Sequence, residues 1–535
     1  MKKAQAIILS LSMAISIFAF ASCSETPPEP ATTAATTTEV TTPADTTTEA
    51  TTSQTVATED NSEAETTTSS TGSETTEASS ADETTTAENS GISAIDLSGF
   101  DGYSKLPGYE DVDFGGRVFL VGLLEGVDSI SFYSEDMDSI SVSVRERNAL
   151  VEKLYNCKIE TDRSANPYAA ATADVTGNVH RIDLYMSQSP STSTAVNDQN
   201  YNLYNLGINF ENPWWDASYV DTYTIDLNGV PTMYGAIGSF VPMTSVYVLY
   251  YNIDLYAQDE LCQKYDLYQL VRDKKWTMDI FTEMIKSVKR DVNGNSSYSY
   301  LDGDIMGWIR TGHATHAMHV ASNMRIVNNV DGKFEFAPAT QTTEWATVID
   351  KAIAVWRTEG SENVSYAKIP DYVASGKALF FSEILDTVKV SLKDADVSIG
   401  IVPYPLYSET QDTYCNYVDN HVADYHIPVS VPDPTTVATF LELVACHSMY
   451  TFLPAFLDAY AVEYFGDEES REMLEFIISN ITYDPGYIWW SSYETDISNM
   501  IESGKNNITQ WIGKKGASLQ KNIDDFMAGI ADNKN

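Results

Sequence analysis

The segment Val246-Tyr247-Val248-Leu249-Tyr250-Tyr251-Asn252-Ile253-Asp254-Leu255 (VYVLYYNIDL) decides how this chain is read. Six apolar or aromatic residues run without a polar interruption and then give way to Asn252 and Asp254. A strand with one wet face alternates, so an unbroken run of this kind asks for protein on both of its faces.

The flanking sequence repeats the theme. Arg117 to Leu124 (RVFLVGLL) follows Gly115-Gly116 and stops at Glu125-Gly126, again the pattern of a buried strand. Val144, Asn148, Val151 and Leu154 then fall at helical steps, and Tyr155 to Ile159 opens a second strand, a β-α-β start. Ile182 to Met186 reads as a further strand running into Ser187-Gln188-Ser189. Downstream, Thr277 can cap a helix with Asp279 in its first turn and Ile280, Phe281, Met284, Ile285 and Val288 on one apolar face. Asp433-Pro434 gives the same start signal ahead of Val437, Phe440, Leu441 and Val444. Short apolar strands interleaved with amphipathic helices predict an α/β body.

The N-terminus carries Lys2 and Lys3, an apolar run from Ala4 to Phe20, and Ala21-Ser22-Cys23. This is the pattern of an export signal, and small residues before a cysteine match a bacterial lipoprotein signal whose Cys23 is lipidated after cleavage. The diacyl modification that this likeness implies supplies the two chains that stable anchoring needs. From Ser24 to about residue 99 the chain is dominated by Thr, Ser, Ala and Glu with no Lys or Arg, which cannot form a core and predicts a disordered acidic tether. Its mean reach is roughly 45 Å for about 70 residues.

Of the formal charge of −44, the first 23 residues carry +2, residues 24 to 100 carry −15, and the rest of the chain therefore carries −31. An acidic body lacks the Lys and Arg that neutralise phosphates, so nucleic acid is not expected as a partner. Residues 100–535 exceed what one core usually supports, which predicts two lobes. Of five cysteines, Cys157, Cys262, Cys415 and Cys446 remain after Cys23 and are too dispersed for a disulfide scaffold; they read as buried thiols, with one disulfide left open. No CxxC or His-rich spacing points to a metal, and no cofactor is expected. The Asp291-Val292-Asn293-Gly294-Asn295 turn fails the EF-hand pattern at its later ligand positions.

Several fragments in order resemble the extracellular solute-binding proteins (family 1) of ABC importers, the sugar-binding family related to maltose-binding protein. They are RVFLVGLLEG, RNALVEKLYNCKIE, VYVLYYNIDLY with KKWTMDIFTEMI, DGDIMGWIRTGHATHAMHVASNMRIVNNVDGKFEF, VASGKALFFSEI, VSIGIVPYP and IPVSVPDPTTVATFLELV. The most specific are Tyr251-Asn252-Ile253-Asp254, Trp276-Thr277, and Gly376-Lys377-Ala378-Leu379-Phe380. The resemblance implies a two-lobed periplasmic-binding-protein-like α/β fold of type II, with crossover strands at a hinge and a central cleft. It makes residues 246–251 the first crossing strand, shared by both lobes, and Ala378 to Glu383 the return. The expected lobe one spans about 112–249 and 385–450, and lobe two about 250–384 and 451–530. The implied function is a lipid-anchored binder on the outer face of a Gram-positive-type cell membrane. It would be monomeric, close on a carbohydrate by hinge bending, and deliver it to the permease subunits of an ABC importer.

Sugars are met by aromatic faces against C–H surfaces and by planar polar groups against hydroxyls. By the resemblance, Trp489 or Trp490 would stack on the sugar, and Trp308, Thr311 and His313 would stand where ligand contacts fall. Loops at the carboxyl ends of strands add Glu125, Asp128, Gln188, Ser239 and, on the return strand, Glu383. The Asn212-Pro213-Trp214-Trp215-Asp216 segment is read as structural. No GxSxG elbow, HExxH or phosphate loop is present and no catalytic residue is assigned. A secreted glycoside hydrolase, a surface polysaccharide adhesin and a binder of a non-sugar solute remain open as alternatives.

Overall fold

The structure, a computed structural model, describes residues 95–125, 129–188, 199–466 and 468–532. The export signal, Cys23, the tether up to residue 94 and Asp128 lie outside the described residues.

The first sheet grows from the β-α-β start. Strand β1 (Arg117–Leu124) pairs in parallel with β2 (Cys157–Ser164) along its whole length, from Arg117 opposite Cys157 to Leu124 opposite Ser164. Helix α1 (Ser139–Tyr155) joins them. The Asp138 side chain caps its start by accepting from Ser141 N–H, and Asn156 ends it in the left-handed region at φ 52°. Strand β3 (Leu184–Gln188) adds in parallel on the other side of β1.

The second sheet holds the segment that opened the sequence. Strand β4 (Tyr247–Asn252) is buried at all six positions. Its first five residues, Tyr247 to Tyr251, are apolar or aromatic because it is an interior strand: β7 (Ala378–Ile384) and β8 (Ile399–Val402) flank it, both antiparallel. Strands β5 (Met306–Arg310) and β6 (Ser361–Asn363) continue the sheet in parallel beyond β7, giving the order β6-β5-β7-β4-β8. Tyr250 and Phe381, directly opposite in register, stack with ring centroids 4.5 Å apart. The abrupt polarity after Tyr251 is a helix start, since the Asn252 side chain accepts from Leu255 N–H and Asp254 lies in the first turn of Ile253–Gln258.

Helix α2 (Met278–Val288) packs on β5 and β7, with Thr277 as its cap. Helix α3 (Ala314–Ala321) follows β5 and is buried along its whole length. The chain then returns to the first sheet through β9 (Ala423–His426), antiparallel to β3, which completes the order β2-β1-β3-β9. Helix α4 (Pro434–Tyr450) lies against it, with Phe440 stacked on Phe119 at 4.1 Å, and α5 (Phe452–Ala459) packs on α1 and α4. Near the C-terminus follow α6 (Pro485–Trp489) and α7 (Ser491–Ser503).

The architecture is thus α/β, with two principal mixed sheets in separate layers of helices. Three passages run side by side where the sheets meet: 244–246 and 418–419 cross from one sheet to the other, and 385–386 leaves β7 before the chain returns to the second sheet at β8. Leu385 N–H donates to the Val246 carbonyl, Asp386 N–H to Thr244, and Asp419 N–H to Ser245. This corrects the expectation of a strand shared by two sheets. Residues 247–252 and 378–384 belong wholly to the second sheet, and the chain crosses just beyond them, at 244–246 and 418–419, with 385–386 lying alongside. The lobe boundaries shift accordingly. Residues 247–249 and 399–402 pair in the second sheet although they fell in the span given to lobe one, and Phe452–Ala459 packs on α1 although it fell in lobe two. An apolar run suits an interior strand of either sheet, so its composition cannot assign it. All four described cysteines are free and buried. No single helix among the described residues is long and apolar enough to cross a membrane.

Candidate functional site

Where the three passages meet lies a cavity of about 340 Å³, a size that suits a small ligand. The first residue of β4, Tyr247, stands in its wall, with its hydroxyl 2.7 Å from Thr311 Oγ1 at the end of β5. Thr311 is placed there because β5 ends at Arg310, and the next three residues, Thr311, Gly312 and His313, lead into α3. The His313 side chain, half exposed, lies 3.9 Å from Asp419 on the third passage. Asp419 also accepts from the backbone N–H of His421 at 3.2 Å and contacts the His421 ring and the Tyr417 hydroxyl.

Glu383, next to last on β7, faces Val248 in register and is 4% exposed. Burial pushes its carboxyl up to about 7, against hydrogen bonding from Thr311, and its Oε1 has no hydrogen-bond partner among the described residues. Asp386, on the same passage, is also raised by burial. The wall therefore offers carboxyl oxygens, hydroxyls and imidazoles beside tyrosine rings. That set can accept from and donate to several ligand hydroxyls at once.

Of the residues singled out from sequence, Thr311, His313 and Glu383 meet at this cavity. Trp308 does not. It is fully buried on β5, its indole N–H donating to Ser382 Oγ at 2.8 Å, because an interior strand between β6 and β7 turns that side chain into the core. Trp489 and Trp490, both half-buried, sit instead in an aromatic cluster with Phe334 and Phe526, Trp489 also meeting Tyr223 at 5.3 Å. Glu125 directly follows β1 and Gln188 ends β3, and neither is part of the cavity wall.

Ser239 walls a separate cavity of about 450 Å³ together with Trp214, Trp215 and Leu457. The Trp214 indole and the Asn212 amide both donate to Glu442 on α4, whose carboxyl is pushed up to about 7 by burial. The structural reading of 212–216 agrees with these contacts. Tyr247, Asp386, Asp419 and His421 were missed. Tyr247 looked like one more core aromatic of its strand, and nothing in the spacing around Asp419 marks it.

No protein-family model matches this sequence, and no curated protein matches it. Solved structures do. An ABC substrate-binding protein from Listeria monocytogenes, in complex with cycloalternan, is 12% identical, with 77% of this chain and 99% of that chain covered and a TM-score of 0.48. A maltose-binding periplasmic protein from the same organism, in complex with maltose, is 13% identical over 78% and 97% of the two chains, with a TM-score of 0.47. A family 1 extracellular solute-binding protein from Bifidobacterium longum subsp. infantis is 14% identical over 78% and 99%, with a TM-score of 0.44. These three solved structures are, by their descriptions, substrate- or solute-binding proteins, two of the three with a sugar bound.

Proposed function

We propose that this chain is a carbohydrate-binding, non-catalytic solute-binding protein that closes about the three passages on its ligand and hands it to an ABC importer. The observation that carries the reading is the cavity at the passages. Its wall combines Tyr247, Thr311, His313 and Glu383 from the second-sheet side with Thr244, Asp386 and Asp419 of the passages and His421, which leads into β9 of the first sheet. A neutral, hydroxyl-rich ligand suits a wall with three carboxyl groups and no Lys or Arg, where an anion would be repelled. The reading extends to the N-terminus, where lipidated Cys23 and the acidic tether would hold the body outside the membrane.

A thermal-shift panel of mono- and oligosaccharides on the whole protein tests this. A sugar that raises the melting temperature at micromolar to millimolar concentration is expected. Thr311→Val and Glu383→Ala should each weaken its binding by about 1–3 kcal/mol in titration calorimetry. No response to any sugar, or hydrolysis of a panel member, would replace the reading by a non-sugar binder or a glycosidase. Trp489→Ala is expected to act differently, lowering stability through its lost ring contacts with little change in ligand affinity.

A further inference from the structure

Helix α3 carries His316 and His319 one turn apart, and both rings are fully buried, 4.3 Å between centroids. None of their four ring nitrogens has a hydrogen-bond partner among the described residues. The Thr315 carbonyl near His319 does not reach hydrogen-bonding geometry. A neutral imidazole has one donor and one acceptor, and leaving such groups unmet in the interior costs about 1–3 kcal/mol each. Two adjacent histidines in that state call for a partner.

The third member is Asp484, also buried, whose Oδ2 lies 4.0 Å from His319 Nε2. Its carboxylate is held by backbone N–H groups of Ile326, Val327 and Gly486 at 2.8 to 3.2 Å. One nitrogen of each histidine and one oxygen of Asp484 fall within 4.8 Å of one another. Ligand atoms around a tetrahedral zinc ion stand about 3.3 Å apart, so modest rotations of the two rings would close the set.

We propose that His316, His319 and Asp484 form a buried site for a divalent transition-metal ion of the zinc type. Two imidazole nitrogens and one carboxylate oxygen are a borderline donor set that zinc accepts readily. The dication would satisfy a nitrogen on each ring and balance the charge that Asp484 brings into the interior. The backbone donors on Asp484 are the outer contacts that fix such a ligand in place.

The role is fastening. The site would tie α3, whose approach segment carries Thr311 and His313, to the start of α6, some 165 residues later. His316 also packs on Tyr417 at 4.5 Å, and Tyr417 on Tyr247 at 5.7 Å, so the site borders the cavity wall. The proposal does not depend on what the cavity binds.

The test uses the whole protein, unfolded and refolded with Zn²⁺ or with chelator and then dialysed against a weak chelator to strip surface ions. About one equivalent of zinc per chain is expected, with a melting temperature about 5 °C above that of the chelator-refolded protein. Refolding with Co²⁺ should give the visible absorption of a cobalt ion bound by imidazole. His316→Ala with His319→Ala should lose both metal and absorption, whereas His313→Ala, at the half-exposed neighbour, should keep them. Wild-type protein with less than about a tenth of an equivalent and no cobalt absorption overturns the proposal. So does equal metal in the double variant, which would assign the ion to the acidic surface. If the double variant fails to fold, the wild-type metal content and cobalt absorption decide.

Discussion

Gly307→Ala is expected to destabilise the protein by about 3 kcal/mol, read as a lower urea midpoint at unchanged slope. A methyl group there would stand 2.2 Å from the Ile285 carbonyl oxygen and 2.6 Å from Ile285 Cα. Backbone cannot rotate away as a side-chain tip can, so either α2 lifts from β5 or the strand bends. Gly307 does not have a left-handed φ, and at such a position alanine ordinarily gains about 0.4–1 kcal/mol by restricting the unfolded chain. The close helix–sheet contact reverses that sign. Gly513, in the helix Ile508–Asp532, is the control: a methyl group meets nothing within 4 Å, and Gly513→Ala should stabilise by about 0.5–1 kcal/mol. Equal effects at the two sites would mean that α2 does not seat on β5 as described.

Glu383→Gln is expected to raise stability at pH 8 by up to about 3 kcal/mol and to leave it nearly unchanged at pH 4. Burial raises the Glu383 carboxyl from 4.5 to about 7 in the folded protein. Between those values the native state keeps a proton that the unfolded chain has released. Wild-type stability therefore falls as pH rises through this window, by about 1.4 kcal/mol per pH unit at its steepest. Glutamine has no proton to lose and removes the fall. Glu442 titrates in the same window, but it does so in both proteins and cancels from the difference. Urea unfolding of the pair at pH 4, 6 and 8 measures the effect, and a difference independent of pH would show that Glu383 is solvated. The same variant keeps a donor and an acceptor in the cavity wall, so its affinity for ligand should change less than that of Glu383→Ala.

Local structure was written plainly in the sequence. Thr277 and Asp433-Pro434 cap the helices they were expected to cap, accepting from Ile280 and Thr436 N–H, and β1 and α1 fall where their pattern put them, while β2 begins at Cys157, two residues later than read, because Tyr155 closes α1 and Asn156 caps it. Sheet membership was not. Residues 247–251 and Ile399–Val402 are apolar for the same reason, burial on both faces, and that property is blind to which sheet does the burying.

The site was half visible for a related cause. Glu383 lies at a strand end, where a strand-end argument finds it, and the resemblance pointed to Thr311 and His313, which follow β5. Tyr247 and Asp419 reach the cavity only because passages bonded to one another across 139 to 174 residues of chain run together, a proximity no local pattern encodes. Trp308 failed in the other direction: a tryptophan beside a ligand and a tryptophan inside an interior strand read alike until the register is known. His316 and His319 could have been noticed as an H-x-x-H pair, but their third companion, Asp484, is marked only by the fold.

The claim on which the functional account rests is that the two sheets close over the cavity by bending at residues 244–246, 385–386 and 418–419. Fluorescence energy transfer between labels at Ala165, just after β2, and Lys368, beside the cavity residue Tyr366, measures it directly in a variant carrying cysteine at both exposed positions. A sugar selected by the thermal-shift panel should shorten that distance in a saturable way, with the same midpoint as binding. A distance that stays fixed while the sugar is demonstrably bound would contradict the account.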